Sequence, residues 1–149
     1  MLIKKFTLLL ILALYLSACA AKPDLSQNGI DISKAQVVLP AGGLDASSAA
    51  AAYMLIKNTS GSPDRLESVS ANFGDASLHE TILDGDIMKM EAIQGITFPA
   101  GALIELRSGS YHVMITNLKP DLKAGDGVQI TLQFEKAGLV LVPAKVINP

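Results

Sequence analysis

The sequence predicts an all-β domain that closes as a Greek-key β-sandwich or barrel of about eight to nine strands. Short runs rich in β-branched and aromatic residues recur at a spacing of about ten residues, each closed by turn residues. Helical periodicity is nearly absent. Without an N-terminal leader of 18 residues, 131 of the 149 residues remain, which is the size of one domain.

The strands follow one another from residue 30 to residue 146. We expect them at 30–38, 50–58, 65–71, 77–83, 86–92, 102–107, 111–118, 127–135 and 138–146. Glycine, proline, serine and aspartate occupy the connections, as in 40–43, 60–64, 99–101 and 124–127. The Ala-rich stretch 46–52 is the one candidate helix, but it leads directly into Tyr53-Met54-Leu55-Ile56. We interpret it as a loop that enters a strand.

The N-terminus has the pattern of an export signal. Lys4 and Lys5 precede an apolar run over residues 6–16, shorter than the roughly 20 residues needed to span a bilayer. The run ends in Leu16-Ser17-Ala18-Cys19, which resembles the lipobox of bacterial lipoproteins. We therefore predict a lipoprotein signal peptide at 1–18, a tether at 19–29 that begins with lipidated Cys19, and a folded domain at 30–149. The protein would then be anchored to a bacterial membrane in the cell envelope or periplasm.

Charge and cysteine content exclude several classes. Removal of residues 1–18 takes two of the twelve basic residues and none of the fourteen acidic ones, which leaves a net charge of about −4. Nucleic-acid binding needs clustered Lys and Arg, so we expect no nucleic-acid partner. Cys19 is the only cysteine, so neither an intramolecular disulfide nor a free thiolate is expected once it is acylated.

Histidine and methionine are concentrated in one stretch of 36 residues. Both histidines of the chain, His79 and His112, lie there together with Met90 and Met114, and Met88 lies beside them. Imidazole nitrogens and thioether sulfurs, with no thiolate, are donors that suit a soft ion such as copper(I). A blue-copper electron carrier would need a cysteine, and neither histidine sits in a hydrolase motif. The pattern favours metal carriage, and we expect no enzymatic activity.

Strand geometry predicts how these side chains align. If Asp84-Gly85 forms a two-residue type I′ turn, His79 lies directly opposite Met90 on the neighbouring strand. His112 and Met114 are two apart in a predicted strand and so share a face. The fold then needs only to bring the two pairs together.

The spacing His79, Met90, His112, Met114 resembles the metal motif of the periplasmic copper chaperone family PCu(A)C. Further segments that look like this family are Leu78-His79-Glu80, Met88-Lys89-Met90, Phe98-Pro99-Ala100-Gly101 and Gly109-Ser110-Tyr111-His112-Val113-Met114. The resemblance covers about residues 30–146. It implies a cupredoxin-like β-sandwich with one copper(I) ion held by these two histidines and two methionines. It also implies delivery of copper for cytochrome c oxidase assembly.

Several alternatives stay open at the level of sequence. Met88 is either packing beside the site or an accessory metal ligand. The implied partner is an apo copper protein, such as a cytochrome oxidase copper subunit or another copper chaperone, besides the membrane that holds the anchor. The protein could instead buffer copper or confer copper tolerance without a dedicated client. It could also be a lipid-anchored β-sandwich that binds no metal and serves as an interaction module.

Overall fold

A computed structural model describes residues 27–45 and 47–149. The predicted signal peptide, Cys19 and most of the predicted tether lie outside the described residues, as does Ala46. Within them the fold is all-β, which confirms the predicted fold class. There is no helix among these residues that could cross a membrane. The strands are β1 (Ile30–Val38), β2 (Ala50–Asn58), β3 (Asp64–Ala71), β4 (Asp75–Asp84), β5 (Ile87–Ala92), β6 (Ile96–Phe98), β7 (Leu103–Leu106), β8 (Tyr111–Thr116), β9 (Gly127–Phe134) and β10 (Gly138–Ile147).

Ten strands are formed where about eight to nine were predicted. The extra strand is β6, which has only three residues and lies between Gly95 and Pro99. A run this short carries no measurable period-2 signal, and it becomes a strand only because it pairs with β3. The described part of the Ala-rich stretch enters β2 at Ala50 without helix, as predicted.

The strands form one hydrogen-bonded path in the order β5-β4-β8-β2-β1-β10-β9-β3-β6, and β7, which lies off this path, pairs with β2. Leu66 of β3 and Leu78 of β4 lie near opposite ends of this path, yet both belong to the same buried cluster. The path therefore curls around a single core, as a sandwich or barrel requires. Side chains alternate between the two faces of each strand, and those on the inner face form this core, for example Val140, Val142 and Val146 of β10.

The folded part of the chain includes residues just before β1. Gln27 forms an isolated bridge with Ile30, and its side-chain amide donates a hydrogen bond to the carbonyl of Leu141. The amide of Asn28 donates to the carbonyl of Ala137. Gln27 and Asn28, near the end of the predicted tether, are thus held against β10 and the turn before it.

Three strands at one end of the path carry the candidate site. β5 lies at the end of the path, β4 pairs with both β5 and β8, and β8 pairs with β2. Because β5 to β7 separate β4 from β8 in sequence, only the fold places these two strands side by side.

Candidate functional site

His79 and His112 lie directly opposite each other across the β4–β8 ladder. Their ring centroids are 5.8 Å apart and the rings are tilted by 33°. Met114 is two residues along β8 from His112 and faces Ser77 of β4, so it lies on the same side of the sheet. The predicted shared face of His112 and Met114 is therefore present, and His79 is its immediate neighbour.

The predicted register of the β4–β5 hairpin is wrong. His79 pairs with Ala92, and Met90 pairs with Thr81, because the turn residues are Gly85 and Asp86 rather than Asp84 and Gly85. Gly85 has a φ of 63° and takes the first central position of the turn, as glycine does in type II′ turns. Asp84 instead ends β4, where it pairs with Ile87.

This register error does not move Met90 to another face. The observed pairing differs from the predicted one by two residues, and side chains alternate with a period of two. Met90 therefore stays on the face of His79, as its diagonal rather than its direct neighbour. Diagonal pairs are about 7–8 Å apart at Cα, within reach of long side chains. Met88, opposite Leu83, shares that face.

The donors differ strongly in their exposure to solvent. His112 is only 5% exposed, whereas Met88 and Met90 are 67% and 65% exposed. His79 and Met114 are half-buried. An open cleft of about 330 Å³ lies over this face, and its lining includes Met90, His112 and Met114. The site thus runs from a buried imidazole to an exposed pair of thioethers.

Hydrogen bonding fixes the tautomer of His112. Its Nδ1 is 3.0 Å from the carbonyl oxygen of Ser110, and a carbonyl can only accept, so Nδ1 carries the proton. The lone pair is then on Nε2, which is the nitrogen left for a metal. Backbone carbonyls orient metal-binding histidines in this way in many proteins.

The two ring nitrogens of His79 differ in their surroundings. Its Nε2 is 3.0 Å from the hydroxyl oxygen of Ser77. Its Nδ1 is buried, and within residues 27–45 and 47–149 it has no hydrogen-bond partner. A buried polar atom without a partner costs stability and calls for an explanation such as a missing ligand.

The environment of His79 favours its neutral form. Burial, and next the charge on neighbouring His112, lower the pKa of His79 below its ordinary value of 6.5. A neutral imidazole is the form that binds metals. The face therefore presents two imidazoles and the three thioethers of Met88, Met90 and Met114. Among the described residues, no three His, Cys, Asp or Glu side chains come together as a metal site.

Two supporting groups were missed at the level of sequence. Ser77 is two residues before His79 in β4 and therefore on the same face, a spacing that could have identified it. Ser110 acts through its carbonyl at the end of a turn, which the residue type does not reveal.

Sequence comparisons relate the chain to proteins that are described as lipoproteins. The family model described as "Putative lipoprotein LpqE-like" matches residues 30–146. The protein named "Putative lipoprotein Lxx21020" of Leifsonia xyli subsp. xyli is 34% identical over 137 residues, with 89% of this chain and 80% of that protein covered.

Solved structures with the same fold include PCuAC domains. The copper-bound PCuAC domain from PmoF2 matches with a TM-score of 0.67 and 26% identity, covering 83% of this chain and 97% of that one. The copper(I) form of DR1885 from Deinococcus radiodurans matches with a TM-score of 0.59 and 26% identity, covering 88% and 83%.

Proposed function

Because the chain belongs to the LpqE-like lipoprotein family, and because its solved neighbours include copper-bound PCuAC domains, we propose that it is a copper(I)-binding metallochaperone of the cell envelope. The observation that carries this proposal is the apposition of His79 and His112 across β4 and β8, beside a cleft that Met90 and Met114 line.

The ligands of the proposed site are His79, Met90, His112 and Met114, and its cargo is one copper(I) ion. Neutral imidazole and thioether donors leave the charge of the ion uncompensated, which favours the monovalent over the divalent state of copper. The Nδ1 of His79 supports this assignment, because it has no hydrogen-bond partner in the described part of the chain and metal ligation would satisfy it. The hydrogen bond from His112 to Ser110 supports it as well, because it leaves Nε2 free.

Carriage fits this geometry better than storage. Met90 is largely exposed and the cleft is open, so an incoming ligand can replace one thioether at a time. We propose that the acceptor is an apo copper protein, such as a cytochrome oxidase copper subunit, and that delivery serves oxidase assembly. A lipid anchor at Cys19 would hold the protein at the membrane where such acceptors are assembled.

Anaerobic titration with copper(I), followed by X-ray absorption, tests the ligand set. We expect one ion with about two nitrogen and two sulfur neighbours. The double variant His112→Ala, Met114→Ala should lose binding. Met54→Leu is the matched control, because Met54 is buried in the core at 2% exposure and its loss removes a thioether away from the site. A shell of nitrogen and oxygen alone, or unchanged binding by the double variant, would rule the site out.

Transfer to a client tests the role. Copper-loaded protein should metallate a purified oxidase copper domain faster than free copper(I) chelate of equal concentration. Failure of transfer, together with copper sensitivity of cells lacking the protein, would instead favour a buffering or tolerance role.

A further inference from the structure

We propose that Met88 and Met90 form a second, outer position for copper(I) at the rim of the cleft, occupied while the ion passes to an acceptor. Met90 would ligate the ion in both positions, and Met88 only in the outer one. This inference rests on the proposed function.

The first observation is the placement of the two thioethers on the edge strand. Met88 and Met90 are two residues apart in β5, the last strand of the sheet path, and both face the side that carries His79. Their backbone positions are about 7 Å apart. Methionine has three rotatable bonds and a polarizable sulfur, so both sulfurs can reach one ion.

The second observation is that packing does not account for these side chains. Both are about two-thirds exposed and neither belongs to the buried core. Two exposed apolar side chains on an edge strand favour aggregation. Ligation of a soft ion gives a chemical reason for thioethers at these positions.

The third observation is that Met88 lies next to the cleft. Its Cε lies 3.9 Å from the point where a Cβ on Gly109 would stand, and Gly109 lines the same cleft as Met90 and His112. The Met88 methyl group therefore lies beside a residue that lines the cleft. His112, at 5% exposure, is too enclosed for an acceptor to contact it first.

The step is a ligand exchange without oxidation or proton transfer. The ion keeps Met90, gains the sulfur of Met88, and releases Met114 and the two histidines in turn. Thioethers are neutral and carry no titratable proton, so copper stays in the monovalent state throughout. An acceptor thiolate or imidazole then binds the exposed ion and displaces the two thioethers.

A pair of matched variants separates sulfur ligation from apolar surface. Met88→Leu keeps the volume and removes the sulfur. Leu83→Ala removes apolar area at the residue directly opposite Met88, which is itself 72% exposed, and keeps both sulfurs. Each is compared with the parent protein and with Met90→Leu, in equilibrium competition for copper(I) and in stopped-flow transfer to the chromogenic chelator bicinchoninate.

For Met88→Leu we expect an affinity within about twofold of the parent and a transfer rate about tenfold lower. Leu83→Ala should match the parent in both affinity and transfer rate, and Met90→Leu should lose affinity. Parent-like transfer by Met88→Leu would overturn the outer position. If Met88→Leu lost as much affinity as Met90→Leu, Met88 would belong to the inner site and the outer position would also be overturned. The same conclusion would follow if Leu83→Ala slowed transfer as much as Met88→Leu.

Methionine methyl NMR with silver(I), a redox-inert substitute for copper(I), gives an independent readout. The methyl signals of both Met88 and Met90 should shift during titration, whereas that of Met54 should not. An unshifted Met88 signal would overturn the inference. Failure of the proposed function itself would look different, because the parent protein would then bind no copper(I) at all.

Discussion

Asp64→Asn should destabilise the domain strongly, because one carboxylate joins two distant parts of the chain. Asp64, at the start of β3, is 6% exposed. Its Oδ1 accepts hydrogen bonds from the backbone N–H groups of Arg65 at 2.7 Å and Lys136 at 2.9 Å. Its Oδ2 accepts one from Ala137 at 2.9 Å. Lys136 and Ala137 belong to the turn between β9 and β10.

The magnitude follows from those three bonds. Asparagine keeps the shape of the side chain but replaces one oxygen with an NH₂ group, so at least one backbone N–H faces a donor. An unsatisfied buried donor costs about 1–3 kcal/mol, and the remaining bonds lose their charge-assisted strength. We expect a loss of about 3 kcal/mol in the free energy of unfolding, which for a domain of this size lowers Tm by about 12 °C.

The effect should depend on pH in a defined direction. Burial raises the pKa of Asp64, but the backbone donors of Lys136, Arg65 and Ala137, with the charge of Lys136, outweigh it and hold the pKa below its ordinary value. A depressed pKa stabilises the fold above the unfolded-state pKa of about 3.9, and this stabilisation is lost as pH falls through the lower folded-state pKa. Parent and variant should therefore converge in acid.

Urea unfolding at neutral pH and at about pH 3 measures this difference. Glu67→Gln is the matched control, because Glu67 is an exposed carboxylate in the same strand. A midpoint for Asp64→Asn equal to that of the control at neutral pH would refute the reasoning. A stability difference that persists unchanged in acid would refute the charge-assisted part of it.

Three further predictions concern the site and the backbone. Copper(I) affinity should fall as pH drops below about 6, because protons compete with the ion for both histidines. The pKa of His79 is lowered, so protonation of His79 should weaken copper(I) binding at a lower pH than protonation of an ordinary histidine would. Flat competition titrations between about pH 7.5 and pH 5 would contradict histidine ligation. Met114→Leu conserves volume, so its free energy of unfolding should change by less than about 1.5 kcal/mol while copper(I) affinity falls about tenfold or more; unchanged affinity in competition assays would count against Met114 as a ligand. Gly95→Ala should cost about 2–4 kcal/mol in urea unfolding, since Gly95 has a φ of 142° and its Cβ would stand 2.5 Å from the carbonyl oxygen of Leu66. Gly61→Ala, with nothing within 4 Å, is its control and should unfold like the parent.

Much of the fold was predictable because its signals are local. Turn residues and β-rich runs placed nine of the ten strands within about two residues of their observed ends. β6 was missed because a three-residue strand has no period of its own. The position of the β4–β5 turn was predicted wrongly because Asp84-Gly85 and Gly85-Asp86 are both acceptable hairpin turns. Pairing along the whole hairpin decides between them.

The candidate site divides in the same way. The sequence by itself determined the donor types and their faces, because alternation in a strand is local and survives a two-residue register error. Only the tertiary structure decided that His79 lies opposite His112. Three strands, β5 to β7, separate β4 from β8 in the sequence, and only the folded sheet pairs the two. It also decided the gradient from buried His112 to exposed Met88 and Met90. Burial depends on what packs above each side chain, and residues distant in sequence supply that packing.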